Sequence, residues 1–262
     1  VRTNAASTTI QNAGMADGDK LNLSGTSNVT VLYDIADIDA RNLSGNLDVT
    51  SRNVATLKID TGSGATTINN SEMSDNGVLT LTGSSSTTVN GSVADIDATL
   101  LTGALAVTTG DAPGNLINII TGTADTLISA ASTDDVVSVF AAQMVEAATL
   151  TLSGEAELQI FDVTATVDAR DLSGELDVTT FDAAGDAISI TTGTNNTRIS
   201  VGSADDLLTV AADAMAEDKT LVLIGDNNSI VTGGLLGDLD ASLLTGTLEV
   251  TVGSPTELTG PN

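Results

Sequence analysis

Few residues in this chain can do chemistry, and nearly all of them are carboxylates or amides, because histidine and cysteine are absent. Six stand out by position. Asp125, Asp134 and Asp135 lie in ITGTADTLISAASTDDVVSV (residues 120–139), and Asn196, Asp205 and Asp206 lie in ITTGTNNTRISVGSADDLLTV (190–210). In both windows a small-residue turn carrying Asp or Asn precedes a short aliphatic stretch. Oxygen donors without nitrogen or sulfur suit a hard cation such as calcium. The same residue types also start turns by hydrogen bonding to nearby backbone, which needs no ion.

A second acidic pattern is D-x-D: Asp37/Asp39, Asp95/Asp97 and Asp238/Asp240, with Thr166/Asp168 at the corresponding place in a third copy. On a strand, positions i and i+2 share a face. Ile38, Ile96, Val167 and Leu239 should then point inward and the carboxylates outward. Two carboxylates on one face are the equipment of glycoside hydrolysis. The simpler reading is a solvated face that keeps strand edges from pairing with other chains.

The rest of the composition narrows the function. A lyase or epimerase acting on acidic polysaccharide needs a base and cations for the uronate. Here the only cations, Arg2, Lys20, Arg41, Arg52, Lys58, Arg170, Arg198 and Lys219, are scattered along the sequence. The aromatic residues are Tyr33, Phe140, Phe161 and Phe181, too few for a sugar platform of rings. A net charge of −27 repels nucleic acid and anionic lipid alike. No apolar run reaches the ~18 residues of a membrane span, and no basic-then-apolar leader opens the chain. An acidic, lysine-poor, cysteine-free chain fits an exported protein at a cell surface, and its start at Val1 reads as a processed or excised segment.

What must position these residues is a repeat. Met15, Met73, Met144 and Met215 each stand six residues before an L-x-L-x-G stretch, at Leu21, Leu79, Leu150 and Leu221. Each is followed by D-A-x-x-L-[ST]-G-x-L-x-V-T: DARNLSGNLDVT from Asp39, DATLLTGALAVT from Asp97, DARDLSGELDVT from Asp168 and DASLLTGTLEVT from Asp240. Gly103 to Gly174 is 71 residues and Gly174 to Gly246 is 72, but Gly45 to Gly103 is 58. The 13-residue shortfall lies between Gly45 and Met73. One elongated domain over residues 1–262 follows, made of a partial unit (1–45), a short unit (46–103), two full units (104–174 and 175–246) and a further start or tail (247–262).

Within the units, strand-like tetrads begin at Leu47, Leu57, Thr66, Val78, Thr87, Asp95, Leu105, Ile117, Thr126, Val136, Leu150, Leu158 and Thr166. Their spacing is too short for helical crossovers between parallel strands. An all-β parallel solenoid of ~71-residue repeats or an antiparallel sandwich remains, and recurrence of sequence favours stacked coils, which reuse one environment. At ~4.8 Å per coil the rod should be roughly 40 to 60 Å long. Seven tetrads per unit divide evenly by neither two nor three sides. The stretches FAAQMVEAAT (140–149) and AADAMAEDKT (211–220) could be one or two helical turns or a longer loop, with a core methionine in either case.

The aspartate-bearing turns resemble, in degenerate form, the G-G-x-G-x-D-x-U-x nonapeptides of repeats-in-toxin proteins, which bind calcium between turns of a β-roll; the resemblance implies Asp125, Asp134, Asp135, Asn196, Asp205 and Asp206 as the expected metal ligands. The wider repeat is similar to those of bacterial surface-layer proteins and large type I-secreted adhesins. That resemblance implies export, an extracellular location, calcium dependence and assembly with copies of itself. The expected function is thus structural and non-enzymatic, with copies joined end to end through partial repeats. The alternatives are a polysaccharide-active β-helix enzyme and an ice-binding solenoid. The latter needs Thr-x-Thr ladders in every coil, a register that Thr66 with Thr67 and Thr191 with Thr192 do not suggest.

Overall fold

In the computed structural model, residues 1–252 are described apart from 4–6, 12–14, 17, 35, 112–113, 115, 182–184 and 186, and every regular element among them is a strand. Before the first methionine strand come β1 (Arg2–Thr3) and β2 (Ser7–Gln11). The stretch from the first methionine strand to the second then supplies β3 (Lys20–Gly25), β4 (Asn28–Asp34), β5 (Asp37–Leu43), β6 (Leu47–Ser51), β7 (Thr56–Asp60) and β8 (Thr66–Asn69). The next supplies β9 (Val78–Gly83), β10 (Thr87–Ser92), β11 (Asp95–Leu101), β12 (Leu105–Thr109), β13 (Leu116–Ile120), β14 (Thr126–Ala130) and β15 (Val136–Phe140). A third gives β16 (Thr149–Gly154), β17 (Glu157–Val163), β18 (Thr166–Leu172), β19 (Leu176–Thr180), β20 (Ala187–Thr191), β21 (Thr197–Ser200) and β22 (Leu207–Ala211). Last come β23 (Thr220–Gly225), β24 (Asn228–Leu235), β25 (Asp238–Leu244) and β26 (Leu248–Val252).

Odd strands form one 13-stranded sheet and even strands a second. Each strand pairs in parallel with the strand two further on, as Leu105 with Thr126 and Val137 with Leu158. The chain is therefore a two-sided parallel β-solenoid, not a sandwich. All thirteen expected tetrads from Leu47 to Thr166 lie in strands of their own, β6 to β18.

Alternation dictates which side of each strand is buried. In TLTLSG of β16, Leu150 and Leu152 are fully buried while Thr151 is only partly covered. Fully burying one such leucine stabilises by about 1.5–3 kcal/mol, and dozens of Leu, Ile, Val and Ala side chains form one continuous core. No aromatic ring belongs to that core: Tyr33, Phe140 and Phe181 are exposed, and Phe161 is half-exposed. Small aliphatics fit between two sheets that ten-residue half-coils bring close together.

The odd count of seven strands per unit has a simple resolution. Seven strands are three and a half coils, so the same motif lands on alternate sheets. The methionine strands β9, β16 and β23 lie in the first, second and first sheets. The short unit has six strands, so β3 and β9 share a sheet. A half-coil is thus the structural unit, and the two sheets offer nearly the same environment.

The two sequence landmarks are neighbours in the stack. Ser44, Thr102, Ser173 and Thr245, from the L-[ST]-G steps, each donate a backbone N–H to the carbonyl of the L-x-L-x-G glycine one coil earlier, Gly25, Gly83, Gly154 and Gly225, at 2.7–2.9 Å. Their hydroxyls donate to the same carbonyls at 3.1–3.5 Å. Close stacking at this corner explains the following glycine. A Cβ on Gly45, Gly103, Gly174 or Gly246 would lie 2.1, 2.1, 1.8 or 1.8 Å from the carbonyl oxygen of Ser27, Ser85, Ala156 or Asn227, so the four sit in like surroundings.

The methionine segments contain turns, not helix. Met144 N–H donates to Ala141 O and Ala148 N–H to Val145 O, two successive turns with Met144 buried between them. Met73 and Met215 are buried in the same way. Val145 N–H and Ala216 N–H reach back to Thr123 O and Thr194 O of the previous coil, which diverts the backbone from a helical path. One run of polar side chains enters the core as a chain: Ser51 Oγ donates to Asn70 Oδ1, and Asn70 Nδ2 donates to Ser92 Oγ, each at 2.9 Å and buried.

Candidate functional site

The six expected ligands divide into two structural kinds. Asp125 Oδ1 accepts the backbone N–H of Thr149 at 2.9 Å, and Asn196 Oδ1 accepts that of Thr220 at 3.1 Å. They are counterparts 71 residues apart, each capping the strand of the next coil, on opposite sheets. Asn46, Asn228, Asp37 and Asp95 cap Ala65, Thr247, Lys58 and Asn118 likewise. The signal for this role, Asp or Asn at or just before a strand start, is visible in the sequence.

Asp134 and Asp205 are exposed in turns, while Asp135 and Asp206 beside them are 1% exposed. The buried pair donate backbone N–H groups to Ser132 O and Ser203 O. Among the described residues no three Asp, Glu, His or Cys side chains gather into a group that could hold a metal ion.

The D-x-D strands are bulged. Register slips by one residue after Asp39, Asp97, Asp168 and Asp240. The second aspartate supplies the acceptor for the extra N–H: that of Arg41, Thr99, Arg170 or Ser242, at 2.9–3.3 Å. Ile38, Ile96 and Val167 are buried as expected, and Leu239 is half-buried. Asp39 departs from the expected outward exposure, being 9% exposed.

Three of the eight cations converge on Asp39 and its neighbour Asp60, although they are distant in sequence. Arg41 binds Asp39 at 2.6 Å, Lys20 lies 3.3 Å from Asp39 and 3.7 Å from Asp60, and Lys58 is 3.4 Å from Asp60. The Arg41 guanidinium hydrogen bond holds the Asp39 carboxyl well below the usual carboxylate range, against the opposing effect of burial. Burial also pushes Asp60 upward, but the Thr82 hydroxyl and the Lys58 charge outweigh it and the net shift is down. Carboxylates held ionised in this way are poor proton donors.

The outer faces of the sheets differ. On the first sheet, strands β3 to β11 turn outward Lys20, Asp37, Asp39, Lys58, Asp60, Asp95 and Asp97. On the second, one file runs Thr9, Thr30, Asp48, Thr67, Thr88, Ala106, Leu127 and Thr151 in unbroken register. A parallel file holds Gln11, Leu32, Thr50, Asn69 and Asn90, then Thr108, Ser129 and Ser153 beyond a bulge. Asp48 is the one charge in these two files. Thr66 points inward, 1% exposed, so outward threonines keep a register that adjacent pairs in the sequence conceal.

Phe140 and Phe161 pair across coils, their rings stacked at 5.2 Å, with Ile120 next in the same file. The stacking turns ring faces toward each other and edges toward solvent. Surface grooves are open, such as the one lined by Glu157, Glu175, Asp177, Asn196 and Arg198. No protein-family model, no curated protein and no solved structure matches the chain.

Proposed function

We propose that the chain is a non-enzymatic structural segment, a stiff rod of the kind found in surface layers, filaments and adhesin stalks outside the cell, and that it associates with copies of itself. The observation that carries this reading is the use made of the repeated residues. Both glycines, the L-[ST] step and the strand-start Asp or Asn bind one coil to the next, and the bulge aspartate satisfies the extra N–H of its own strand. None is left over to converge on a substrate.

Calcium enters the proposal as one of the cations that screen a net charge of −27. Binding at Asp134, Asp135, Asp205 and Asp206 would show as a thermal midpoint raised by calcium well beyond an equal concentration of magnesium. Screening alone raises it equally with both, and is the outcome expected from the separated carboxylates. The structural reading itself is tested by electron microscopy of the concentrated protein together with incubation on uronate polymers. Ordered assemblies and no unsaturated product are expected. Isolated particles under every salt condition, or polymer cleavage, would overturn it.

A further inference from the structure

We infer that the outer face of the second sheet from β2 to β16 is a docking surface for a second copy of this chain, packed face to face. The inference rests on the structural reading above and names the partner and the surface. Its first support is charge. With 35 acidic residues against 8 basic ones, two copies meet mutual repulsion almost anywhere. The two central files of this face carry only Asp48 over eight strands.

The neutrality traces to one feature of the sequence. Uniform seven-strand units would put successive D-x-D strands on alternate sheets. The short unit has six, so β5 and β11 fall on the same, first sheet, and the second stays free of such strands until β18 brings Asp168 and Asp171 beside Thr151 and Ser153. The 13-residue shortfall thus lengthens the face free of D-x-D strands from five strands to eight.

Size and shape agree with this partner. Eight strands ~4.8 Å apart and about five residues wide at ~3.3 Å each give roughly 650 Å² per copy, near the ~800 Å² per partner of a stable interface. Thr, Ser, Asn and Ala are short, so two such sheets can approach to the ~10 Å of packed β-layers. A two-fold axis between β8 and β10 makes the face meet itself with rods antiparallel. Asp48 in β6 of one copy then lies over β12 of the other, away from its own counterpart.

The test is sedimentation equilibrium of the full chain from micromolar to about 1 mM, in low salt and in about 0.5 M salt, where the Debye length is only a few ångströms. The expected result is a mass rising from one copy toward two, more steeply in high salt. The pair Thr88→Glu with Ser129→Glu should raise the dissociation constant at least about tenfold. The control pair Thr80→Glu with Val222→Glu, on the first sheet, should leave it unchanged. Melts by circular dichroism within a few degrees of the parent show that the variants fold. A monomer throughout, association indifferent to the Glu pair, or equal loss in the control overturns the proposal. So does a monomer that instead adsorbs to ice, the other use of a threonine file. Ordered end-to-end assemblies with no face-to-face pair would sink this inference while leaving the rod reading standing.

Discussion

Gly174 shows how a single atom decides whether two coils stack. A methyl at Gly174 would sit 1.8 Å from Ala156 O, with only backbone to give way, whereas one at Gly114 (φ +74°) meets nothing within 4 Å. Gly174→Ala should therefore cost more than about 3 kcal/mol and Gly114→Ala about 1, a contrast that urea denaturation resolves. The left-handed position repeats as Tyr33, Gly91, Asp162 and Gly233. Asp162→Gly should then be neutral or stabilising by up to about 1 kcal/mol, since relief of the left-handed strain exceeds the added chain entropy. Asp39 and Asp60 titrate lower when folded than unfolded, so between those values the unfolded chain binds more protons. The stability they contribute is complete above about pH 4 and fades as pH falls below it. The thermal midpoint gap between parent and Arg41→Gln should accordingly be constant above pH 4 and shrink below. The sequence revealed which residues matter at this scale but not what they bind, because an aspartate at a turn can accept from an ion or from a backbone N–H. Only the coil spacing shows that Thr149 N–H is within reach of Asp125.

Elements were the most legible level. Alternation of aliphatic and polar residues located the strands from β6 to β18, and the recurrence of Gly103 and Gly174 identified stacked coils. The number of sides was hidden by the premise that a repeat must close a whole number of coils. Seven strands close three and a half, which two equivalent sheets permit and three would not. The turns around Met144 and Met215 were ambiguous because alanine-rich segments suit a helix by propensity, while contacts to the previous coil hold them as turns. The buried Ser51, Asn70 and Ser92 chain belongs to this scale as well. Asn70→Ala removes both side-chain bonds of the chain and should cost about 2–3 kcal/mol in urea denaturation, more than Ser51→Ala, which removes one of them; Ser51 Oγ and Ser92 Oγ keep Asn69 O and Ala94 O as acceptors.

For the whole molecule, one uninterrupted core runs from β2 to β26, and the proposed function rests on the geometry of a rod. Thirteen strands per sheet at ~4.8 Å give a stack of about 58 Å. Self-repulsion at −27 opposes that compact form, so moving from low salt to about 0.15 M should raise the thermal midpoint. The most direct test of the stack is pulsed dipolar spectroscopy between spin labels, which the absence of native cysteine makes simple. Labels at Val78, kept constant, and in turn at Gln159, Asp177, Val222 and Asp240 lie along one outward file of the first sheet. The predicted separations grow steadily, about 19, 24, 34 and 38 Å at ~4.8 Å per coil. A distance that levels off or shortens toward Asp240 would contradict a chain stacked along one axis.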